Sequence, residues 1–275
     1  MTIDAPAKVN LTLRILGKRA DGYHEIESLM APVSLTDQLE ISVEEGRGIE
    51  FTCSDPTIPS DETNLVCRAV ATFSNHTGLR FRTRIHLQKN IPHGAGLGGG
   101  SSDAAATIKS LNHLLNAGLE VSELESIAAT LGSDIPFFIQ CRPAISRGRG
   151  EIIEPFEGLQ PAQILLVKPP FPVSTPWAYK AFASSKIKTQ TFQQFHGSIE
   201  LMNDLEAPVF YKYLLLPVLK KWLLEHSGVS AAMMSGSGST IFAILKNSAF
   251  GLESKIHAEF GETFQTIRCH LQGVA

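Results

Sequence analysis

The segment Pro92-His93-Gly94-Ala95-Gly96-Leu97-Gly98-Gly99-Gly100-Ser101-Ser102-Asp103-Ala104-Ala105 constrains this chain more than any other. Five glycines and two serines run straight into an alanine-rich stretch of helical character. A loop with so few side chains exposes its backbone N–H groups, and the helix after it adds the positive end of its dipole. Such a junction favours an anion, and a nucleotide phosphate is the first candidate.

Familiar phosphate loops do not fit. Gly94-Ala95-Gly96-Leu97-Gly98-Gly99 matches GxGxxG literally, but a dinucleotide fold needs a second strand ending in an acidic residue ~20 residues on. That interval leads here to Ala117-Gly118-Leu119-Glu120 and another helix. No Lys follows the glycines, so the Walker A pattern fails. Neither HRD nor DFG occurs, which removes the protein kinases. A glycine-rich turn without a ligand is the bland alternative, and dipole, serines and glycines together argue against it.

At 275 residues, 43% hydrophobic and 19% charged, the chain is globular, with room for one large domain or two ordinary ones. A net charge of −3 gives no electrostatic footprint for nucleic acid. Arg80, Arg82, Arg84 and Lys89 cluster in sequence, and the alternation reads as the wet face of a strand. Cys53, Cys67, Cys141 and Cys269 form no CxxC pair, and the histidines form no HExxH. The expectation is a reducing cytoplasm without a zinc site or disulfide framework. No apolar run reaches membrane-spanning length and no signal-like N-terminus is present, so no membrane partner is expected.

The first part of the chain reads as mostly β. Val9, Leu11, Leu13 and Ile15 alternate with Lys8, Asn10, Thr12 and Arg14, which predicts one strand from Ala7 to Gly17. Arg19-Ala20-Asp21-Gly22 is turn chemistry. Strands are expected at Glu25–Val33, Gln38–Val43 and Arg82–Gln88. After the loop the period changes to helical at Asp103–Asn116 and Ser122–Leu131, with Ser102 and Ser122 as candidate N-caps. Ser133-Asp134-Ile135-Pro136 opens another helix, since Pro is tolerated in the first turn. Ala144–Ile153 returns to strand. A boundary falls in Glu154–Pro161, dividing the chain into 1–155 and 156–275. The second part mixes strands at Gln163–Lys168, Ala231–Met234, Ile241–Leu245 and Phe264–His270 with helices at Pro176–Ala183, Pro217–His226 and Ser248–Glu259. The fold class is α+β.

Three motifs together resemble the GHMP kinases: Pro92–Ala105 resembles their phosphate loop, Ala5-Pro6-Ala7-Lys8-Val9-Asn10-Leu11 their N-terminal motif, and Met234-Ser235-Gly236-Ser237-Gly238-Ser239-Thr240 their C-terminal glycine motif. Finer blocks resemble the 4-diphosphocytidyl-2-C-methyl-D-erythritol kinase branch. These are Arg19–His24, Gly132-Ser133-Asp134-Ile135-Pro136-Phe137-Phe138, Arg147-Gly148-Arg149-Gly150-Glu151 and Asn203-Asp204-Leu205-Glu206. The resemblance implies a two-domain fold, with an N-terminal domain like domain 2 of ribosomal protein S5 and a ferredoxin-like C-terminal domain. It implies ATP and Mg²⁺ as cofactors and a cytidine diphosphate-linked methylerythritol as small-molecule substrate, phosphorylated on its 2-hydroxyl. A monomer or weak homodimer is the expected assembly.

By the same resemblance Lys8 and Asp134 are the catalytic pair. Asp134 would accept the hydroxyl proton, and Lys8 would stabilise the developing alkoxide or the moving phosphoryl group. A helix cap at Asp134 and a solvated strand position at Lys8 are the alternatives. Pro92, His93, Gly94, Ala95, Gly96, Leu97, Gly98, Gly99, Gly100, Ser101 and Ser102 would hold the ATP phosphates, with Asn64 and Leu65 beside adenine. Asn10, Tyr23, His24, Thr175 and Tyr179 would bind the acceptor, the two tyrosines as aromatic walls around cytosine. Core packing is the alternative for Tyr179. Ser102 is the candidate Mg²⁺ ligand or, alternatively, a plain N-cap. The chain departs from the family pattern at Ser133, often Ala, and at Arg142, commonly Gly.

Overall fold

The computed structural model describes residues 1–184, 193–246 and 249–273. The chain opens with β1 (Thr2–Asn10), β2 (Thr12–Lys18), the long β3 (His24–Glu44) and β4 (Gly48–Cys53). Then come α1 (Leu65–Thr77), β5 (Arg82–Gln88), α2 (Gly99–Leu114), α3 (Val121–Leu131), α4 (Ile135–Gln140), β6 (Ala144–Gly148) and β7 (Ile152–Pro155). The second half runs β8 (Ala162–Lys168), α5 (Thr175–Ser184), β9 (Gln194–His196), β10 (Ile199–Asn203), α6 (Glu206–Lys212) and α7 (Leu215–Leu224). It ends with β11 (Val229–Met234), β12 (Ile241–Leu245), α8 (Leu252–Phe260) and β13 (Gln265–Leu271).

The predicted strand Ala7–Gly17 is broken at Leu11, whose N–H still bonds Leu29 O on β3 at 2.8 Å while the register slips by one residue between Asn10↔Met30 and Arg14↔Glu27. The two strands expected at Glu25–Val33 and Gln38–Val43 are one. Antiparallel pairing with β1 continues from Asn10↔Met30 to Thr2↔Glu40 across a bulge between Pro6 and Lys8, so no turn is needed. Helix α1 has no counterpart in the sequence reading. Asn64 caps it, accepting the Val66 N–H at 2.8 Å, and Gly78 closes it at φ 70°. Its face of Val66, Ala69, Val70 and Phe73 is buried. Phe73 alone stabilises the fold by about 1.5–3 kcal/mol on burial. Ser122 does not cap α3; Glu120 does, in a capping box with Glu123. The glycines in Ala144–Ile153 divide that stretch into the hairpin of β6 and β7. Strands β9 and β10 were not foreseen, and the expected start of the last helix at Ser248 lies outside the described residues.

Three cores organise the chain. The first packs α1 to α4 on the N-terminal strands through Phe73, Phe137, Ile108 and Leu39. The second packs the C-terminal helices on β8, β11 and β12. The third joins the two halves. Strand β8 shows how: Leu165 and Val167 enter the second core, while Ile164 and Leu166 enter the third. A strand buried on both faces must be apolar at successive positions, hence Ile-Leu-Leu-Val. Strands β8, β12 and β13 connect to β3 through the pair Leu271↔Val33, and β10 pairs β2 at Met202↔Thr12 and Asn203↔Leu13, so strand pairing joins the halves at two places. The functional cleft opens where this seam meets α2, α4 and α5.

Candidate active site

The phosphate loop lies between β5 and α2. Helix α2 begins at Gly99, earlier than its apolar period suggests, and Gly98 stands at its N-cap with φ 72°. A methyl at Gly98 would lie 2.8 Å from Phe138 and 3.1 Å from the Lys8 stem. One at Gly96, with φ 75°, would lie 2.3 Å from Ser235 O. Both positions therefore require glycine for backbone conformation and for space. The Lys8 N–H donates to Leu97 O at 2.9 Å, which ties β1 to the loop.

That strand brings Lys8 and Asn10 into the site. Both side chains are buried, so the polar face foreseen for them turns toward the cleft instead of bulk water. The Lys8 ammonium donates to Asn10 Oδ1 and lies 3.5 Å from Asp134 Oδ2. Asn10 Nδ2 donates to Ser28 Oγ at 2.8 Å, and Ser28 Oγ donates to Thr12 O at 2.6 Å. These bonds fix the amide orientation. Asp134 occupies the N-cap position of α4, yet its side chain makes no capping bond. The carboxylate is 39% exposed, against 4% for the Lys8 side chain, and it faces the cleft. A cap would have consumed the carboxylate; here it is free to accept a proton.

The cleft has a volume of about 1060 Å³. Its lining includes Lys8, Asn10, Tyr23, His24, Asn64, Leu65, Asp134, Thr175 and Tyr179, together with the loop from Pro92 to Ser101. Ser102 is the exception among the expected site residues. Helical rotation turns it inward, where it is 2% exposed and no longer a cap, since Gly98 holds that position. Among the described residues no group of three His, Cys, Asp or Glu side chains is placed to hold a metal.

At the far end, the Asp21-Gly22 turn presents Tyr23 and His24. Tyr23 N–H donates to Asp21 Oδ1 at 3.1 Å, and Gly22 N–H to Arg19 O at 3.2 Å. Tyr23 is 52% exposed, with the Arg149 guanidinium 5.2 Å from its ring centre. His24 stacks on Tyr179 with ring centres 5.4 Å apart and planes 28° from parallel. Its Nε2 is buried without a partner among the described residues, so a ligand edge could satisfy it. Burial, with the Asp134 charge second, pushes the Tyr179 phenol well above its usual range. Tyr179 also packs against the second core, so core packing and cleft lining are both true of it.

Sequence reasoning missed Lys89, which it grouped with surface arginines. Arg82 and Arg84 do line a wet strand face, paired with Glu44 and Glu50. Lys89 instead lies beneath the phosphate loop, bonded to Asp37 and to Asp103 at 2.8 Å. Asp37 Oδ1 also accepts the N–H groups of Asn90 at 2.6 Å and Ile91 at 2.8 Å. Burial is the largest influence on Asp103, whose carboxyl is pushed up to about 7. A Lys just before a glycine loop was the available signal, but only three-dimensional pairing distinguishes it from Arg84.

Comparison with known proteins identifies the family. Residues 64–142 match the GHMP kinases N terminal domain, and residues 183–262 match the GHMP kinases C terminal. A 4-diphosphocytidyl-2-C-methyl-D-erythritol kinase from Methylacidiphilum infernorum is 49% identical over 87% of this chain and 84% of that protein. The chain belongs to the 4-diphosphocytidyl-2-C-methyl-D-erythritol kinase family. A second member, from Syntrophotalea carbinolica, is 39% identical over 88% of this chain and 89% of its own length. A crystal structure of 4-(cytidine 5'-diphospho)-2C-methyl-D-erythritol kinase superposes with a TM-score of 0.80 at 33% identity, covering 100% of both chains. A Methanococcus jannaschii mevalonate kinase superposes at 0.71 with 15% identity over 99% of this chain and 98% of that one, which shows the shared fold. This member of the kinase family thus has the α+β GHMP kinase fold expected from its three motifs.

Proposed function

We propose that this kinase transfers the γ-phosphoryl group of ATP to the 2-hydroxyl of 4-diphosphocytidyl-2-C-methyl-D-erythritol, a step of non-mevalonate isoprenoid precursor synthesis. The observation that carries the chemistry is the uncapped Asp134 carboxylate, 3.5 Å from the Lys8 ammonium, in the same cleft as the phosphate loop. Asp134 takes the proton of the attacking hydroxyl as its oxygen bonds to the γ-phosphorus. The bond to the β,γ-bridging oxygen breaks, and ADP leaves with that electron pair. Lys8 supplies positive charge beside the attacking oxygen and the transferring group. The loop N–H groups and the dipole of α2 hold the remaining phosphates.

For the acceptor, Tyr23 and Tyr179 offer rings and His24 offers a polar edge, which suits a cytosine base. Asn10, beside Lys8, and Thr175, both lining the cleft, are assigned by this reading to the erythritol hydroxyls and the linking segment. Asn64 and Leu65 at the start of α1 suit adenine. When bound with ATP, Mg²⁺ would neutralise phosphate charge; Ser102, turned inward, supports no direct ligation, whereas Ser101 lines the cleft. The same reading divides the chain at 155/156, supported by a first core drawn wholly from the earlier part. Four free cysteines support a reducing cytoplasm. Among the described residues no helix is long and apolar enough to cross a membrane. A monomer or weak homodimer completes the proposal.

Phosphate transfer from ATP should be compared on the cytidine substrate, homoserine and mevalonate. Turnover on the cytidine substrate is expected; turnover only on one of the others overturns the assignment.

A further inference from the structure

The block Asn203-Asp204-Leu205-Glu206, at the junction of β10 and α6, takes no part in the chemistry above, yet it reaches the site through one loop. Buried Asn203 donates both amide hydrogens, to Met234 O at 2.7 Å and to Gly236 O at 2.8 Å. Its Oδ1 accepts the Leu205 N–H at 2.9 Å, so the amide orientation is set. Glu206, also buried, accepts the Met234 N–H at 2.9 Å and the Lys220 ammonium at 2.6 Å.

The loop held in this way faces two directions. Toward the donor side, the Ser235 hydroxyl donates to Gly96 O at 2.9 Å and the Thr240 N–H to Ala95 O at 3.3 Å. Toward the acceptor side, a methyl at Gly236 would lie 3.4 Å from Lys8 Nζ and 3.2 Å from Asn10 Oδ1. Gly236 therefore lies beside the Lys8 ammonium with room for no side chain, and the ammonium itself is bonded to Asn10 and paired with Asp134.

We propose that Asn203 is a positioning residue for the phosphoryl transfer, holding Gly236 against Lys8 and so fixing the ammonium between Asn10 and Asp134. The inference rests on the roles given to Lys8 and Asp134 above. A loop rich in glycine and serine has little conformational preference of its own. Two amide donors on two carbonyls of that loop supply the missing constraint. Charge placed for a transition state is sensitive to small shifts, and a displacement of about 1 Å costs on the order of a hundredfold in rate.

Asn203→Asp keeps the shape and the Leu205 contact but replaces both donors with an acceptor facing two carbonyls. Gly236→Ala disturbs the same contact from the loop side. Asp204→Ala serves as the comparison, because Asp204 accepts the Ile15 N–H at 2.7 Å and has no bond to the loop. Turnover is measured per folded molecule, well below each variant's unfolding temperature. Both loop-directed variants should lose about a hundredfold in kcat with KM for ATP nearly unchanged, while Asp204→Ala loses stability and keeps its kcat. Unchanged kcat in folded Asn203→Asp, a rise in KM alone, or an equal loss in Asp204→Ala would overturn the proposal. If Asn203→Asp does not fold, Asn203→Ala, which removes both donors without adding an acceptor, decides by the same criteria. A wild type inactive on the cytidine substrate would refute the proposed function instead. The variants would then be compared on the acceptor the wild type does use.

Discussion

Asp134 and Lys89 carry different kinds of sensitivity. Asp134→Asn keeps the side-chain shape and removes the proton acceptor. Turnover should fall by about 10²- to 10⁴-fold while the ATP dissociation constant, measured by calorimetry, stays within a small factor. Near-normal turnover would remove Asp134 from the mechanism. Lys89 is a matter of stability first. Replacing it with Met leaves the Asp37 and Asp103 carboxylates, both buried, without their cation. Removing one partner of a buried ion pair costs about 3–5 kcal/mol, read as a lowered midpoint in urea. A loss below about 1 kcal/mol would mean that the charges are compensated elsewhere. Lys8 was legible because a polar residue recurs in a strand otherwise patterned for burial and matches a family motif. Lys89 was not, since its sequence neighbours Arg82 and Arg84 are cations paired on a wet face. A one-dimensional pattern records charge but not what lies opposite it.

Elements show a similar division. Helix α2 buries residues all round, from Ser102 to Leu111, and its alanines allow β1 and β3 to approach closely. Its start could not be read from apolar period, because the first turn is glycine. Gly98→Ala should destabilise the protein and weaken ATP binding together, since a methyl there meets Phe138 and the Lys8 stem. Weakened stability with unaltered ATP affinity would separate the cap from the phosphate site. Farther away, Arg268 on β13 clamps Glu253 on α8, at 2.8 Å and 3.0 Å. That bond, the largest influence on Glu253, holds its carboxyl below the ordinary 4.5. The folded state then binds this proton less readily than the unfolded chain. Its stabilisation is complete above about pH 4.5 and is lost as pH falls through the lower folded value. Glu253→Gln should flatten the decline of stability in that acid window, followed by urea titrations at stepped pH. The pair is partly exposed, so the effect is expected to be small.

The molecule as a whole should unfold as one unit, because β3 belongs to the first core and is also bonded to β13, and the third core draws on both halves. Trp177 and Trp222 pack against the second core, so tryptophan fluorescence reports the C-terminal half while far-UV circular dichroism reports both. Coincident midpoints are expected, and two separated transitions would show independent halves. ATP at a hundred times its dissociation constant should add about 2.7 kcal/mol and shift both signals together. By itself, the sequence determined the glycine loop, the α+β class and the family, and it singled out Lys8, Asn10, Asp134, Tyr23 and His24, which the structure brings to one cleft. Those rest on local chemistry, glycines for backbone access and a carboxylate at a helix start, which spacing records. Tertiary structure alone decided that Asp134 makes no capping bond, that Ser102 turns inward, that Lys89 lies between two buried carboxylates, and that Asn203 holds the carbonyls of Met234 and Gly236. Each depends on groups distant in sequence becoming neighbours, and only the packing of the two halves through their shared core brings them together.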